Sequence, residues 1–172
     1  MNMQMRTLIL LLLLPLLSGA QDFIRKEGES PEDFVNRIAP AESHTVKYLL
    51  ADKFNTGDEK IVYAYTIFEP GNIINNADST LTYYACILVP DAENGMHYNE
   101  QRFKMVASYK KRTRIESAEI IKVNNAKRLQ IYVAELVRGP GGIPRDVKRT
   151  FVYGQENFNG IFKDTFIEVK TH

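Results

Sequence analysis

Few residues in this chain have the chemistry of a reactive centre, and each sits in a pattern that limits what it can do. The only cysteine is Cys86, in the run Leu81–Pro90 (LTYYACILVP). A reactive thiol needs a basic neighbour or a helix N-terminus, together with access to solvent. Cys86 has Ala85 and Ile87 beside it and Leu88 on its own strand face, so it reads as a small core hydrophobe. Being single, it also cannot form an internal disulfide, and the domain must be held by its core.

Histidine is limited to His44, His97 and His172. Glu42-Ser43-His44 lines up a carboxylate, a hydroxyl and an imidazole, but neighbouring residues of an extended strand point to opposite faces. No G-x-S-x-G elbow surrounds Ser43, which a nucleophilic serine of that type requires. His97 and Glu100 are three apart and would share a face only on a helix. The segment follows Asn94-Gly95 and leads into a strand-like run, which separates them. Asp91, Glu93 and Asn94 lack the alternating oxygen ligands and closing glutamate of a calcium loop. No metal site and no cofactor are expected.

The most glycine-dense stretch, Arg138-Gly139-Pro140-Gly141-Gly142-Ile143-Pro144-Arg145, lacks the G-K-[ST] ending and following helix of a phosphate cradle. It reads as a defined connection between two long strands. If it recognises anything, Arg138 and Arg145 would supply charge-assisted bonds and Gly141 and Gly142 would allow close backbone approach. The partner would then be anionic or acidic. Lys148 and Arg149 follow, but on a strand they cannot both face one partner. Lys110-Lys111-Arg112-Thr113-Arg114 is a second basic cluster at a turn, read as protection against edge pairing.

The elements that must position these residues are mostly strands. Ser30-Pro31-Glu32-Asp33 has an N-cap, a proline at N1 and first-turn acids, and Phe34, Val35 and Ile38 follow at helical spacing until Pro40. This predicts one short helix with an apolar face. Residues 21–29, charged and glycine-containing, read as a mobile lead-in. Beyond Pro40, strands are expected near 45–51, 59–69, 81–89, 101–109, 113–123, 127–137, 147–154 and 160–169, from their β-branched and aromatic content between turn residues. Asn124-Asn125 suits a tight hairpin, because asparagine tolerates positive φ. The runs 61–68 and 81–89 are apolar on both faces and belong in the middle of a sheet covered on both sides. The expected fold is a mainly β antiparallel meander, as a sandwich or partly closed barrel, with one short N-terminal helix; the alternative is an α+β roll.

The N-terminus carries a destination. Arg6, the apolar run Leu8–Leu17 and the small residues Ser18-Gly19-Ala20 have the order of a cleaved signal peptide over 1–20, and the apolar run is too short to span a bilayer. The expected product is a soluble secreted or periplasmic protein with a single globular domain over 30–172 and no transmembrane anchor after cleavage. Of the 22 Lys and Arg only Arg6 is removed, so 21 bases face 21 acids. That balance argues against nucleic acid as a partner, since such proteins normally carry a basic excess. The lack of tryptophan weakens the case for sugar stacking. Two functional readings follow. One is an exported non-enzymatic binding or interaction domain of unidentified ligand. The other is a hydrolase or metal-assisted enzyme whose site is assembled from distant residues such as His44, His97, Glu100 and Asp164. Mass spectrometry of the exported product is expected to find the N-terminus at Gln21; retention of residues 1–20 in a membrane fraction would contradict it.

Overall fold

The computed structural model describes residues 23–55, 57–69, 80–108, 113–158 and 160–169. The leader expected over 1–20, Lys110–Arg112 and His172 lie outside the described residues. In chain order the elements are β1 (Phe23–Ile24), α1 (Pro31–Ile38), β2 (Ser43–Asp52), β3 (Lys60–Glu69), β4 (Thr80–Pro90), β5 (His97–Ser108), β6 (Thr113–Val123), β7 (Ala126–Arg138), β8 (Pro144–Phe158) and β9 (Ile161–Val169). They form two antiparallel sheets, of order β1-β5-β4-β3-β2 and β6-β7-β8-β9. Each is a meander of hairpins, apart from β1 on the outer edge of β5. This is the mainly β meander expected from the sequence, and no helix among the described residues is long and apolar enough to cross a membrane.

Alternation along β3 and β4 divides the core into two layers. Val62, Ala64, Leu81, Tyr83, Ala85 and Ile87 face the second sheet and pack with Ile115, Leu129, Ile131, Val133, Phe151 and Tyr153. Ile61, Tyr63, Tyr65, Cys86 and Leu88 face the other way and are covered by Phe34, Val35 and Ile38 of α1. Complete burial of such side chains contributes roughly 1.5–3 kcal/mol each, so the short helix is held by docking rather than by its intrinsic propensity. Its start is also set locally. Ser30 Oγ accepts from the Asp33 amide at 3.1 Å and donates to its carboxylate at 2.7 Å.

Three features differ from the sequence reading in extent. Residues from Phe23 onward, expected as a mobile lead-in, are docked: Phe23 and Ile24 pair with Tyr98 and His97, and Phe23 packs on the helix-side core. The charges that suggested mobility satisfy one another. Arg37 binds Glu29 through two bonds of 2.7 and 2.8 Å and also donates to the Ile24 carbonyl at 2.7 Å. Strand β5 begins at His97, four residues earlier than expected. Strand β8 spans Pro144–Phe158, so the connection after β7 is only Gly139–Ile143. The Asn124-Asn125 turn is as expected, with φ of 49° and 63° and Val123 paired to Ala126.

The Arg37 guanidinium, hydrogen-bonded to Glu29, pulls that carboxyl down from 4.5 to about 2. A depressed carboxyl contributes stability that is present above its unfolded value and lost as pH falls through the folded one. Arg37 is 36% exposed and Glu29 10%, so solvent screening keeps the contribution below about 1 kcal/mol. Urea unfolding of Arg37→Met against wild type should show this difference at neutral pH, shrinking between pH 4.5 and about 2. A difference independent of pH would assign the loss to packing alone.

Candidate functional site

The residues singled out by their chemistry are dispersed across the fold. Cys86 is fully buried beneath α1, and burial, reinforced by the Glu100 carboxylate, pushes its thiol well above the ordinary range. Glu100 lies on the same face and accepts hydrogen bonds from the Tyr63 hydroxyl and, at 2.9 Å, from Arg102. Arg102 also lies 5.4 Å from the centre of the Tyr65 ring. The carboxylate is therefore occupied by two donors in a structural network. His97, at the start of β5, pairs with Ile24. His44 stacks edge-on to Phe68 at 4.8 Å in a groove of about 460 Å³ whose lining includes Lys47 and Arg114 but no carboxylate. Among the described residues no three His, Cys, Asp or Glu side chains stand close enough to hold a metal ion, and the four residues of the hydrolase reading are not brought together. Asp91 and Asn94 instead cap their own turn, accepting from the Glu93 and Met96 amides at 2.8 and 3.1 Å.

The basic glycine-rich segment is a hairpin tip on top of a continuous ladder. Arg138 pairs with Pro144 on the last rung, and the Arg138 side chain lies outside the described part. Gly141 and Gly142 take φ of 72° and 78°, values that favour glycine, and the Gly142 amide reaches back to the Gly139 carbonyl at 3.1 Å. Arg145 is exposed, its stem lying along Gly139. The two cations further down are engaged on opposite faces. Lys148 sits 3.7 Å above the Tyr132 ring, whereas Arg149 binds Glu168 at 2.7–2.8 Å and Glu135 at 3.7 Å.

A different set of residues converges at the opposite end of the sandwich. There the β2–β3 loop, the end of β4, the start of β7 and the middle of β8 and β9 enclose a cleft of about 620 Å³, a volume typical of small-molecule sites. Its inner part is tied across the sheets: the Tyr153 hydroxyl donates to Gln101 Oε1 at 2.8 Å. Burial and then Asp164 raise the Tyr153 pKa, which keeps the phenol protonated. The Asn55 amide donates to the Lys127 carbonyl at 2.9 Å and so links the β2–β3 loop to β7. Lys60, only 9% exposed, donates to the Phe54 carbonyl at 3.1 Å and to the Asp58 carbonyl at 3.5 Å. Burial draws its pKa down against the pull of Asp58. Val89, Pro90, Ala92 and Ala126 give the cleft an apolar wall.

Arg128 also borders the cleft, but alternation with inward-facing Leu129 turns its side chain to the outer face of β7, where its Nη1 lies against Gly154. Its Nε is shut off from solvent and has no hydrogen-bond partner, and its guanidinium makes no ion pair among the described residues. A buried donor left unmet costs about 1–3 kcal/mol. Of the side chains in the cleft, the sequence singles out Asp164 alone as a candidate. The one available signal was Gly154, a glycine inside a strand, which often marks a close approach. Comparison with family models, with curated proteins and with solved structures finds no match to this chain.

For Cys86 the expected result is structural. Cys86→Ala should cost about 1 kcal/mol in urea unfolding through the small cavity it leaves. The native protein should resist thiol reagents; rapid labelling without unfolding would contradict the burial.

Proposed function

We propose that this chain is an exported, non-catalytic binding module that takes a small polar ligand into the cleft at the end of the sandwich. Export rests on the order of Arg6, the Leu8–Leu17 run and Ser18-Gly19-Ala20. The observation that carries the binding reading is the cleft itself, in which polar groups from both sheets, Lys60, Gln101, Tyr153, Gln155 and Asp164, surround one apolar-walled space. Pockets of this size with a few convergent polar groups on a rigid frame are where ligands are bound. The groups lack a nucleophile paired with a base, so they suit holding a ligand rather than transforming it.

An anionic or acidic envelope or extracellular partner at the β7–β8 tip is the second reading. It is favoured by Arg145, which is exposed while Arg114 and Arg149 nearby are paired with acids. One variant separates the two. Ala126 is exposed at the cleft margin, so Ala126→Trp fills the space without disturbing the core and leaves the tip as it is. In thermal-shift screening against small polar metabolites, ligands of the cleft should raise the wild-type melting temperature. A ligand at 100-fold excess over its Kd adds about 2.7 kcal/mol of stability. The rise should disappear in Ala126→Trp; hits that stabilise both proteins equally would overturn the cleft reading.

A further inference from the structure

We infer that Asp164 anchors an ammonium group, so that the ligand of the cleft is a small amine with an apolar body. This rests on the reading of the cleft as a binding site and adds the class of molecule it takes. The direction of the side chains comes first. Along β9, Asp164 lies two residues before Phe166, which packs on the inter-sheet core, so alternation turns both inward. Across the ladder it faces Gln155, which lies two residues beyond the buried Tyr153. Asp164 also acts on the Tyr153 phenol, which an outward carboxylate could not reach. The carboxylate therefore stands inside the cleft, half-buried.

Its surroundings leave it unmatched. The single proton of the Tyr153 hydroxyl goes to Gln101 Oε1 at 2.8 Å, and Asp164 forms no ion pair among the described residues. The neighbouring cations are directed elsewhere. Lys60 shares the inner face with Val62 and Ala64, but its amine is held by the Phe54 and Asp58 carbonyls and lies 5.3 Å from the centre of the Phe54 ring. It serves its own loop. Arg128 is turned to the outer face of β7, and Lys163 alternates with Asp164 and is exposed. A second carboxylate of the lining, Asp58, is exposed on the loop beside Lys60, whereas half-buried Asp164 stands where a charge-assisted bond is stronger.

An ammonium has donors and no acceptor. Asp164 meets its charge, and the Tyr153 oxygen and the Gln155 side-chain carbonyl are further acceptors on the same wall. A metal ion asks for more ligands than this, and no three His, Cys, Asp or Glu side chains meet among the described residues. The wall of Val89, Pro90, Ala92 and Ala126 then faces the remainder of the molecule, which favours a hydrocarbon or aromatic body.

The test uses three molecules of similar shape and different charge: phenethylamine, 2-phenylethanol and phenylacetate, with calcium chloride as a fourth probe. Binding to the exported protein is followed by NMR, from the backbone amides of Val89, Gln101, Gln155 and Asp164. Phenethylamine should shift these signals with a Kd at least about tenfold lower than that of 2-phenylethanol, the gain expected of a hydrogen bond to a charged group. Phenylacetate should not compete. Asp164→Asn, which keeps the shape and removes the charge, should abolish the preference for the amine over the alcohol, while Asp58→Asn should keep it. Folding of each variant is checked by the dispersion of its amide spectrum, and the three molecules on the wild-type protein decide even where a variant does not fold. Amine and alcohol bound equally, or an amine preference that survives Asp164→Asn, would overturn the inference while leaving the cleft as a site. Phenylacetate bound more tightly than the amine would overturn it as well, as would calcium shifting the cleft signals while the amine does not. Silence of those signals to all four probes would also overturn it, and the fate of the cleft itself would rest on the Ala126→Trp screen.

Discussion

The structure depends on two adjacent strands that are apolar on both faces. Side chains of a strand alternate, so β3 and β4 send Val62, Ala64, Ala85 and Ile87 to one side and Ile61, Tyr63, Cys86 and Leu88 to the other. One covering layer would leave half of these in water. The chain meets the demand with two unlike covers, a four-stranded sheet on one face and an eight-residue helix on the other. The paired charges of residues 25–37 follow from this arrangement, because they pin the helix and the preceding segment where the second layer must lie.

The same layering decides where polar groups can be tolerated. On the helix side Glu100 is buried only because Tyr63 and Arg102 both donate to it. Between the sheets Tyr153 is acceptable because Gln101 Oε1 accepts a hydrogen bond from its hydroxyl. Both are instances of the rule that a buried polar group must be met. Four buried side-chain atoms among the described residues depart from that rule, on Ser43, Tyr65, Thr82 and Arg128. Elsewhere Lys47 closes the seam between β2 and β6 by donating to the carbonyls of Ile115 and Glu116.

Much of the fold was legible because its signals are local. The Ser30-Pro31 start, the Asn124-Asn125 turn and the apolar character of both faces of 61–68 and 81–89 each act within a few residues, and each is found where it is expected. Where the expectation fell short, a partner distant in sequence was responsible. Phe23 and Ile24 became a strand because the edge of β5 was open to them. Residues 144–146 became ladder because β7 extends to Arg138. The candidate site was far less legible. Lys60, Gln101, Tyr153 and Asp164 have no spacing that distinguishes them, since they come from β3, β5, β8 and β9 and meet only after the two sheets stack.

By itself, then, the sequence determined the composition of each strand face, the one helix among the described residues, the turns and the buried cysteine. These follow from side-chain periodicity, backbone preference and burial, which operate at short range. Only the tertiary structure decided that Glu100 would be consumed by Tyr63 and Arg102, that His44 and His97 would lie apart, and that Tyr153 would meet Gln101 across the two sheets. Those outcomes depend on register and on how one sheet sits over another. A shift of one residue would send every one of these side chains to the opposite face, so no local pattern carries them.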